Sequence, residues 1–211
     1  RDANVPVWGT ADAGAKVSVS FSGQTVTTTS GKDGNWKISL KPFKASSSPQ
    51  TMTVSNGDNS VSIKNVLVGD VWIGSGQSNM AGRAASYAKN DETLAALVKQ
   101  GTFPNIRLME GGPKPTWTET TSETIPRASA LLFPFGERLH RELDVPIGLI
   151  LGAVGGTPSG YWIPSETFAS SEKCKASISE FSKTFDPAKN QKQYEAKLAA
   201  WEKAAVKAKA E

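Results

Sequence analysis

Two nearly uninterrupted apolar runs, each followed by a glycine-rich loop, constrain the fold of this chain more than any other feature. Residues 66–73 read Val-Leu-Val-Gly-Asp-Val-Trp-Ile, and residues 147–154 read Ile-Gly-Leu-Ile-Leu-Gly-Ala-Val. Strands that are buried on both faces of a parallel sheet have this composition. The loops that follow, residues 74–79 and 155–157, contain two glycines each. The pattern predicts a parallel sheet with both loops at its carboxyl edge, where open α/β sheets bind ligands.

The residues between the two runs have the signals expected of crossover helices. Asp91 is a favourable helix cap and Gly101 a favourable stop, so a helix is predicted between them. Residues 106–109 predict a short strand, and Pro134 can open a second helix. The apolar stripe of that second helix is predicted to consist of Phe135, Leu139 and Leu143. Strand, helix, strand, helix, strand implies right-handed crossovers in a parallel sheet with flanking helices.

The first 64 residues have a different pattern. Val17, Val19 and Phe21 alternate with polar residues, and residues 36–40 repeat this period of two. Such alternation is typical of strands with one buried face. Short strands of this kind predict a small antiparallel β-sandwich over residues 1–64 that precedes the α/β part over residues 65–164.

Residues 165–211 are polar and are predicted to be helical, because Ala, Lys and Glu are frequent there. Their apolar residues follow a helical spacing of i, i+4, i+7 and i+11, which predicts one amphipathic helix. The stripe consists of Tyr194, Leu198, Trp201 and Ala205.

Composition excludes several classes of protein. No apolar run approaches the ~20 residues of a membrane span. The single cysteine, Cys174, excludes an internal disulfide framework and a cysteine zinc cluster. The net charge of +4 is spread along the chain rather than concentrated, so no nucleic-acid partner is expected. The only histidine is His140, so chemistry that needs two histidines is also excluded.

The loop at residues 74–79 admits several interpretations. A phosphate-binding loop requires a lysine, which this loop lacks. A dinucleotide fingerprint requires a third glycine where Asn79 stands. The G-x-S-x-G pattern of hydrolases is met at Gly76 and Ser78, but Met80 replaces the last glycine. Residue types alone therefore leave two alternatives: Ser78 is a nucleophile at the edge of the sheet, or it caps its helix.

Longer motifs carry a resemblance to a known family. Residues 69–80, Gly-Asp-Val-Trp-Ile-Gly-Ser-Gly-Gln-Ser-Asn-Met, resemble the first signature of the sialate O-acetylesterase family, carbohydrate esterases of the SGNH-hydrolase superfamily. Residues 145–150, followed by residues 155–158 and Trp162, resemble its second signature, and residues 4–9 resemble its amino-terminal β region. The resemblance implies an SGNH-hydrolase-like α/β domain and hydrolysis of O-acetyl esters on a carbohydrate such as sialic acid or xylan.

The resemblance also implies roles for individual residues. Ser78 matches the nucleophile, and its own N–H together with that of Gly156 or Gly155 matches the oxyanion donors. Gln77 and Asn79 lie in the motif, as substrate-binding residues or as residues that shape the loops, and Thr157 shapes the second loop. Trp162 is a candidate wall of the substrate pocket. The family requires no metal and no cofactor, so none is expected.

Two further family motifs are missing from these 211 residues. The family has a Gln-Gly-Glu block and a carboxy-terminal Asp-x-x-His that supplies the acid and the base, and neither occurs here. His140 lies on the predicted stripe helix, away from the strand tips, and is expected to be structural. A serine without a base is a weak nucleophile at neutral pH.

We therefore expect this chain to be one part of a two-chain enzyme. A second polypeptide, the downstream part of the same precursor cut near Glu211, would supply the catalytic His and Asp. Family residues would also precede Arg1, and the enzyme is expected to be secreted or periplasmic. The alternative is a carbohydrate-binding or scaffold protein that kept the fold and lost catalysis.

Overall fold

The computed structural model describes residues 1–57, 59–111 and 115–210 of a mixed α/β protein. The expected cleavage point near Glu211 falls outside these residues. The chain divides into two compact units, residues 1–157 and the residues from 158 onward.

The first unit begins with two antiparallel sheets. Their strands are β1 (Val5–Thr10), β2 (Lys16–Phe21), β3 (Gln24–Thr29), β4 (Asn35–Leu40), β5 (Ser46–Asn56) and β6 (Asn59–Val68). β1 pairs with β4, and the other four pair in the order β3-β2-β5-β6. The alternation predicted from the sequence is confirmed, since Val17, Val19 and Phe21 are buried on β2. Alternate residues of β4 join them in one apolar cluster.

A third sheet carries the glycine-rich loops. Its strands are β7 (Asp70–Gly74), β8 (Phe103–Glu110), β9 (Trp117–Thr120) and β10 (Ile147–Leu151), in the order β7-β10-β8-β9. β10 pairs in parallel with both β7 and β8, which confirms the predicted parallel sheet. The predicted order of strand, helix, strand, helix, strand has three strands, and this number was wrong, because β9 adds a fourth, antiparallel strand beside β8. This four-residue strand is short and mostly polar, so periodicity does not reveal it.

The prediction of one continuous strand over residues 66–73 was wrong. β6 ends at Val68 and β7 begins at Asp70, so the run belongs to two different sheets. The chain turns at Gly69, where a Cβ atom would lie 1.9 Å from the Pro146 carbonyl oxygen and only glycine fits. β7 is also not buried on both faces, since it is an edge strand with Val71 and Ile73 59% and 68% exposed. The strand predicted over residues 147–154 ends at Leu151.

Four α-helices connect the strands of this sheet within the described residues: α1 (Ser78–Ala81), α2 (Ala84–Tyr87), α3 (Glu92–Gln100) and α4 (Leu132–Leu143). The caps predicted for α3 are confirmed. The Asp91 carboxylate accepts a hydrogen bond from the Leu94 N–H at 2.9 Å, and Gly101 ends the helix in the left-handed conformation.

The stripe predicted for α4 was wrong in part. The helix begins at Leu132, before Pro134, and its buried residues are Leu132, Phe133 and Gly136. Gly136 sets this face, because a Cβ there would lie 2.6 Å from Leu149 Cδ1 of β10. The helix therefore approaches the sheet most closely through Gly136. Leu139 is partly buried and packs against the apolar core beneath the helix, but Phe135 and Leu143 are 42% and 46% exposed.

Phe133 offers a stability test of this packing. Its side chain is fully buried and meets the Phe103 ring edge-on at a centroid distance of 5.2 Å. Phe133→Ala should lower the free energy of unfolding by about 3–5 kcal/mol, because it removes buried apolar area and leaves a cavity. Urea denaturation measures this loss. Phe135→Ala, on the exposed side of the same helix, is the matched control and should cost less than about half as much.

The second unit is helical, as predicted, with α5 (Ser165–Ser170), α6 (Glu172–Thr184) and α7 (Pro187–Ala210). Three residues of the predicted stripe on α7 are exposed: Tyr194, Leu198 and Trp201. The side chain of the fourth, Ala205, lies outside the described part of the structure. None of the described helices combines the length and the apolar character needed to cross a membrane.

Candidate active site

The loop after β7 ends at a serine that begins a helix. β7 stops at Gly74, and Ser78 is the first residue of α1. Gly74 lies close to two side chains, because a Cβ there would lie 2.7 Å from Leu132 Cδ2 and 2.9 Å from Met80 Sδ and would force them to shift. Gly76 adopts a φ of +124°, a conformation that side-chain-bearing residues rarely adopt. The two glycines bring the chain sharply from the sheet edge to Ser78, whose side chain is exposed.

The second glycine-rich loop lies beside the first. The Gly152 N–H donates to the Gly74 carbonyl and the Val154 N–H to the Gly76 carbonyl, both at 2.9 Å. The Thr157 hydroxyl donates to the Val154 carbonyl at 2.7 Å and closes the turn that contains Gly155 and Gly156. The structure therefore brings the loops of Ser78 and Gly156 together at the carboxyl ends of two neighbouring strands.

Gln77 engages both polar hydrogens of Ser78. Its side-chain oxygen accepts from the Ser78 N–H at 2.9 Å and from the Ser78 hydroxyl at 2.6 Å. Gln77 is thus the amino-terminal cap of α1. In this conformation, the Ser78 N–H, which was predicted to be an oxyanion donor, already donates its hydrogen bond to the Gln77 amide oxygen. The hydroxyl is oriented by an acceptor that cannot serve as a strong base.

The other two predicted binding residues lie in different parts of the protein. Asn79 is exposed on α1, directly after Ser78. Trp162 ends a short helical turn, Ser159–Trp162, in the second unit, and is 37% exposed. The binding roles of Asn79 and Trp162 stay predictions.

His140 lies at the opposite end of the sheet from Ser78. Its Nδ1 donates to the Val145 carbonyl at 2.7 Å, which ties the end of α4 to the start of β10. Ile147 at that end pairs with Asp70, whereas Leu151 at the other end pairs with Gly74, just before the serine loop. The four residue-to-residue steps of about 3.3 Å each separate the two ends by roughly 13 Å. His140 is therefore out of hydrogen-bond reach of Ser78 and has a structural role.

Substitutions of His140 test this role. His140→Ala should lower the free energy of unfolding by about 1 kcal/mol, the net value of one hydrogen bond. His140→Asn should cost less, because its amide nitrogen can replace Nδ1 as the donor. Neither variant should change ester turnover by more than a few-fold, as measured with p-nitrophenyl acetate. A loss of roughly 10⁴-fold, typical for removal of a catalytic base, would instead make His140 catalytic.

Ser129 supports the serine helix and has no signal in the sequence. Its hydroxyl, on a residue that is 3% exposed, donates to the Met80 carbonyl at 2.6 Å and accepts from the Leu132 N–H at 3.0 Å. It therefore connects the end of α1 with the start of α4. Only the tertiary structure brings it near Ser78, from which it is 51 residues away in the chain. Across the residues that the structure describes, no three His, Cys, Asp or Glu side chains are grouped to hold a metal ion.

Residues 68–205 match the model of one protein family. The matching family is described as carbohydrate esterase, sialic acid-specific acetylesterase. The sialate O-acetylesterase of Homo sapiens is 28% identical over 187 residues, which cover 76% of this chain and 35% of that protein. The sialate O-acetylesterase of Rattus norvegicus is 28% identical over 180 residues, covering 74% of this chain and 33% of that protein.

A solved structure is similar as well. The crystal structure of a carbohydrate acetylesterase from Xanthomonas citri matches with a TM-score of 0.73 and 25% sequence identity. The match covers 79% of this chain and 40% of that one. The chain thus spans about a third of the length of the curated relatives that it matches.

Proposed function

Because this chain belongs to the sialic acid-specific acetylesterase family of carbohydrate esterases, as the match over residues 68–205 shows, we propose that it carries the nucleophile of an enzyme that removes O-acetyl groups from a carbohydrate. The family membership confirms the resemblance identified in residues 69–80. The observation that carries the proposal is the position of Ser78, exposed at the carboxyl edge of a parallel sheet and beside the loop of Gly156.

The proposed reaction proceeds through an acetyl-enzyme. Ser78 Oγ attacks the acetyl carbonyl carbon while its proton passes to a base, and the ester C–O bond breaks as the sugar hydroxyl leaves with that proton. Water then attacks the acetyl-serine, acetate leaves, and the Ser78 hydroxyl is restored. The negative oxygen that forms in each step accepts hydrogen bonds from the Ser78 N–H and from the N–H of Gly156 or Gly155.

Gln77 must move for this reaction to occur. Its side-chain oxygen accepts from the same Ser78 N–H that the oxyanion needs. Rotation of the Gln77 side chain would free this donor and would also release the hydroxyl proton to the base. The observed contact is therefore assigned to the resting state, in which the nucleophile is held in place but not activated.

The base is proposed to come from outside these 211 residues. The only histidine of the sequence, His140, is bonded to a backbone carbonyl at the far end of the sheet. We assign the catalytic His and Asp to a second polypeptide that contacts the Ser78 edge. Adjacent partners in a working site lie about 2.6–3.2 Å apart.

The free edge of β7 is the proposed place where that polypeptide joins. β7 is the outer strand on one side of its sheet and leads directly into the Ser78 loop. This strand exposes three large apolar side chains: Val71 is 59% exposed, Trp72 42% and Ile73 68%. An exposed apolar edge strand favours pairing with another chain. A strand added there would extend the sheet toward a complete SGNH-hydrolase-type domain and would bring new residues to the carboxyl edge beside Ser78.

Trapping of the intermediate tests the proposal. The complete enzyme is mixed with p-nitrophenyl acetate, quenched in acid within the first turnover, and digested for mass spectrometry. The peptide that contains Ser78 should gain the mass of one acetyl group, and fragmentation should place this mass on Ser78 rather than on Ser75. Acetyl-ester hydrolysis with no acetyl group on Ser78 would contradict the assigned nucleophile. Binding of acetylated sugars with no hydrolysis would favour the alternative of a carbohydrate-binding protein.

A further inference from the structure

The helix that begins with Ser78 is too short to fix its own position. α1 contains four residues. Its hydrogen bonds from residue i+4 to residue i run from the Ala81 N–H to the Gln77 carbonyl at 3.0 Å and from the Gly82 N–H to the Ser78 carbonyl at 2.9 Å. A helix of this length is unstable by itself, because the first turn fixes several backbone dihedral angles for each hydrogen bond that it forms. The location of α1, and with it that of the Ser78 hydroxyl, therefore depends on contacts with the rest of the protein.

Met80 is the residue that connects α1 to the core. Its side chain packs against the apolar cluster of the sheet and α4, and a Cβ atom on Gly74 would lie 2.9 Å from its sulfur. Its backbone carbonyl, two residues after Ser78, accepts a hydrogen bond from the Ser129 hydroxyl at 2.6 Å. Both the side chain and the backbone of this one residue thus hold α1 against the core of the first unit.

The Ser129 hydroxyl is itself fixed in one orientation. It accepts hydrogen bonds from the Leu132 N–H at 3.0 Å and from the Leu131 N–H at 3.3 Å, while it donates to the Met80 carbonyl. A hydroxyl group has one proton and two lone pairs, so these three bonds use its full hydrogen-bonding capacity. Because the side chain is also buried, it cannot turn toward water.

The segment around Ser129 runs along the chain that follows α1. The Ala84 N–H donates to the Ala128 carbonyl and the Ala130 N–H to the Gly82 carbonyl, both at 2.8 Å. These two bonds join backbone atoms, so a change of the Ser129 side chain does not remove them. They hold residues after α1, whereas the Ser129 hydroxyl holds α1 itself. Substitution of Ser129 therefore isolates the effect of its hydroxyl on the serine helix.

We propose that Ser129 is a positioning residue, which holds the Ser78 hydroxyl at the correct distance from the second glycine-rich loop. The hydrogen bonds from Gly152 and Val154 fix the loop before α1, and the bond from Ser129 fixes the far end of α1. Displacement of a reacting atom by about 1 Å can lower a rate by roughly 100-fold. Ser129 is buried and acts on the rate only through α1. The inference rests on the proposed function, because it takes Ser78 as the group that attacks the ester.

The rate of Ser78 acetylation tests this inference. The complete enzyme is mixed with p-nitrophenyl acetate and quenched in acid at successive times, and the acetylated Ser78 peptide is quantified by mass spectrometry. At saturating ester, Ser129→Ala should slow acetylation by roughly 10- to 100-fold, and the ester concentration that gives half the maximal rate should stay within a few-fold of the parent value. Ser129→Thr keeps the hydroxyl and should restore the rate to within a few-fold of the parent.

Ser30→Ala is the matched control. Ser30 is 4% exposed and follows β3, and its hydroxyl donates to the Asp12 carbonyl and accepts from the Ala15 N–H at 2.9 Å. Loss of either serine hydroxyl leaves buried backbone groups unpaired, so both alanine variants should raise the equilibrium constant of unfolding by roughly 5- to 150-fold, as measured with urea. Of these two variants, only Ser129→Ala should slow acetylation, with rates measured where circular dichroism shows folded protein.

Three results would overturn the inference: a parent rate in Ser129→Ala, an equal loss of rate in Ser30→Ala, or a folded Ser129→Thr variant that is as slow as Ser129→Ala. If Ser129→Ala does not fold, Ser129→Cys replaces it, because a thiol is similar in shape but donates only weak hydrogen bonds. This variant should also acetylate more slowly, and a parent rate would overturn the inference.

The parent enzyme separates failure of the inference from failure of the proposed function. A parent enzyme that hydrolyses acetyl esters without acetylation of Ser78 would reject the proposed nucleophile and the role of Ser129 together. Acetylation of Ser78 at the same rate in the parent and in Ser129→Ala would retain the nucleophile and reject only the role of Ser129.

Discussion

Ser78→Ala is expected to abolish acetyl-ester hydrolysis by the complete enzyme, with a loss of kcat of roughly 10⁴-fold or more. Removal of a nucleophile that forms a covalent intermediate leaves only the contribution of the oxyanion donors and of binding. Stability should change by less than about 1 kcal/mol, because the Ser78 side chain is exposed and, among the described residues, its hydroxyl bonds only to the adjacent Gln77. Steady-state kinetics with p-nitrophenyl acetate and an acetylated sugar measure the loss.

Ser75→Ala is the control for this substitution. Ser75 is an exposed serine in the same loop, three residues before Ser78. It should keep turnover within a few-fold of the parent, since no step of the proposed reaction uses it. An alanine variant of Ser78 that retains most of its activity would reject the nucleophile. Equal losses in both variants would indicate that the loop shape, rather than the Ser78 hydroxyl, had been tested.

The second large effect is expected in the rate of ester hydrolysis when the 211-residue chain is assayed without the proposed second polypeptide. A protein of this sequence alone should hydrolyse p-nitrophenyl acetate roughly 10⁴- to 10⁶-fold more slowly than the complete enzyme, as is typical when the base of a catalytic triad is removed. The physical reason is the position of His140, which is bonded to the Val145 carbonyl at the other end of the sheet. Parallel assays of the two proteins at equal concentration measure the ratio.

Denaturing electrophoresis of the complete enzyme shows where the base resides. A two-chain enzyme gives two bands, one of them near 22.4 kDa. A single heavier band would place the base on the same polypeptide and reject the second chain. Full activity of the 211-residue protein alone would reject an external base altogether. In that case the His140 variants would show whether His140 is the base.

The local sequence patterns determined several elements without tertiary information. Asp91 and Gly101 mark the ends of α3 because a carboxylate cap and a left-handed glycine act within one turn of the helix. The alternation at Val17 and Val19 predicts a half-buried strand because side chains alternate across a strand. The motif at residues 69–80 identified the family, since a string of specific residues needs no structure to be matched.

The nucleophile was also a sequence prediction, but its surroundings were not. The motif singled out Ser78, and only the tertiary structure shows that the Gln77 side chain accepts hydrogen bonds from both its N–H and its hydroxyl. Ser129 reaches the Met80 carbonyl from 49 residues away in the chain. Contacts over such distances leave no periodic trace in the chain.

Only the tertiary structure decided which apolar residues are buried. Residues 66–73 look like one buried strand, yet the chain turns at Gly69 and leaves Val71 and Ile73 exposed on an edge. Phe135 lies on a regular stripe, yet α4 turns the face of Gly136 toward β10. Hydrophobicity shows only that burial of a side chain is favourable. Strand order and close backbone approach determine whether the side chain is buried. Local sequence patterns do not contain this information, because both features depend on residues far apart in sequence.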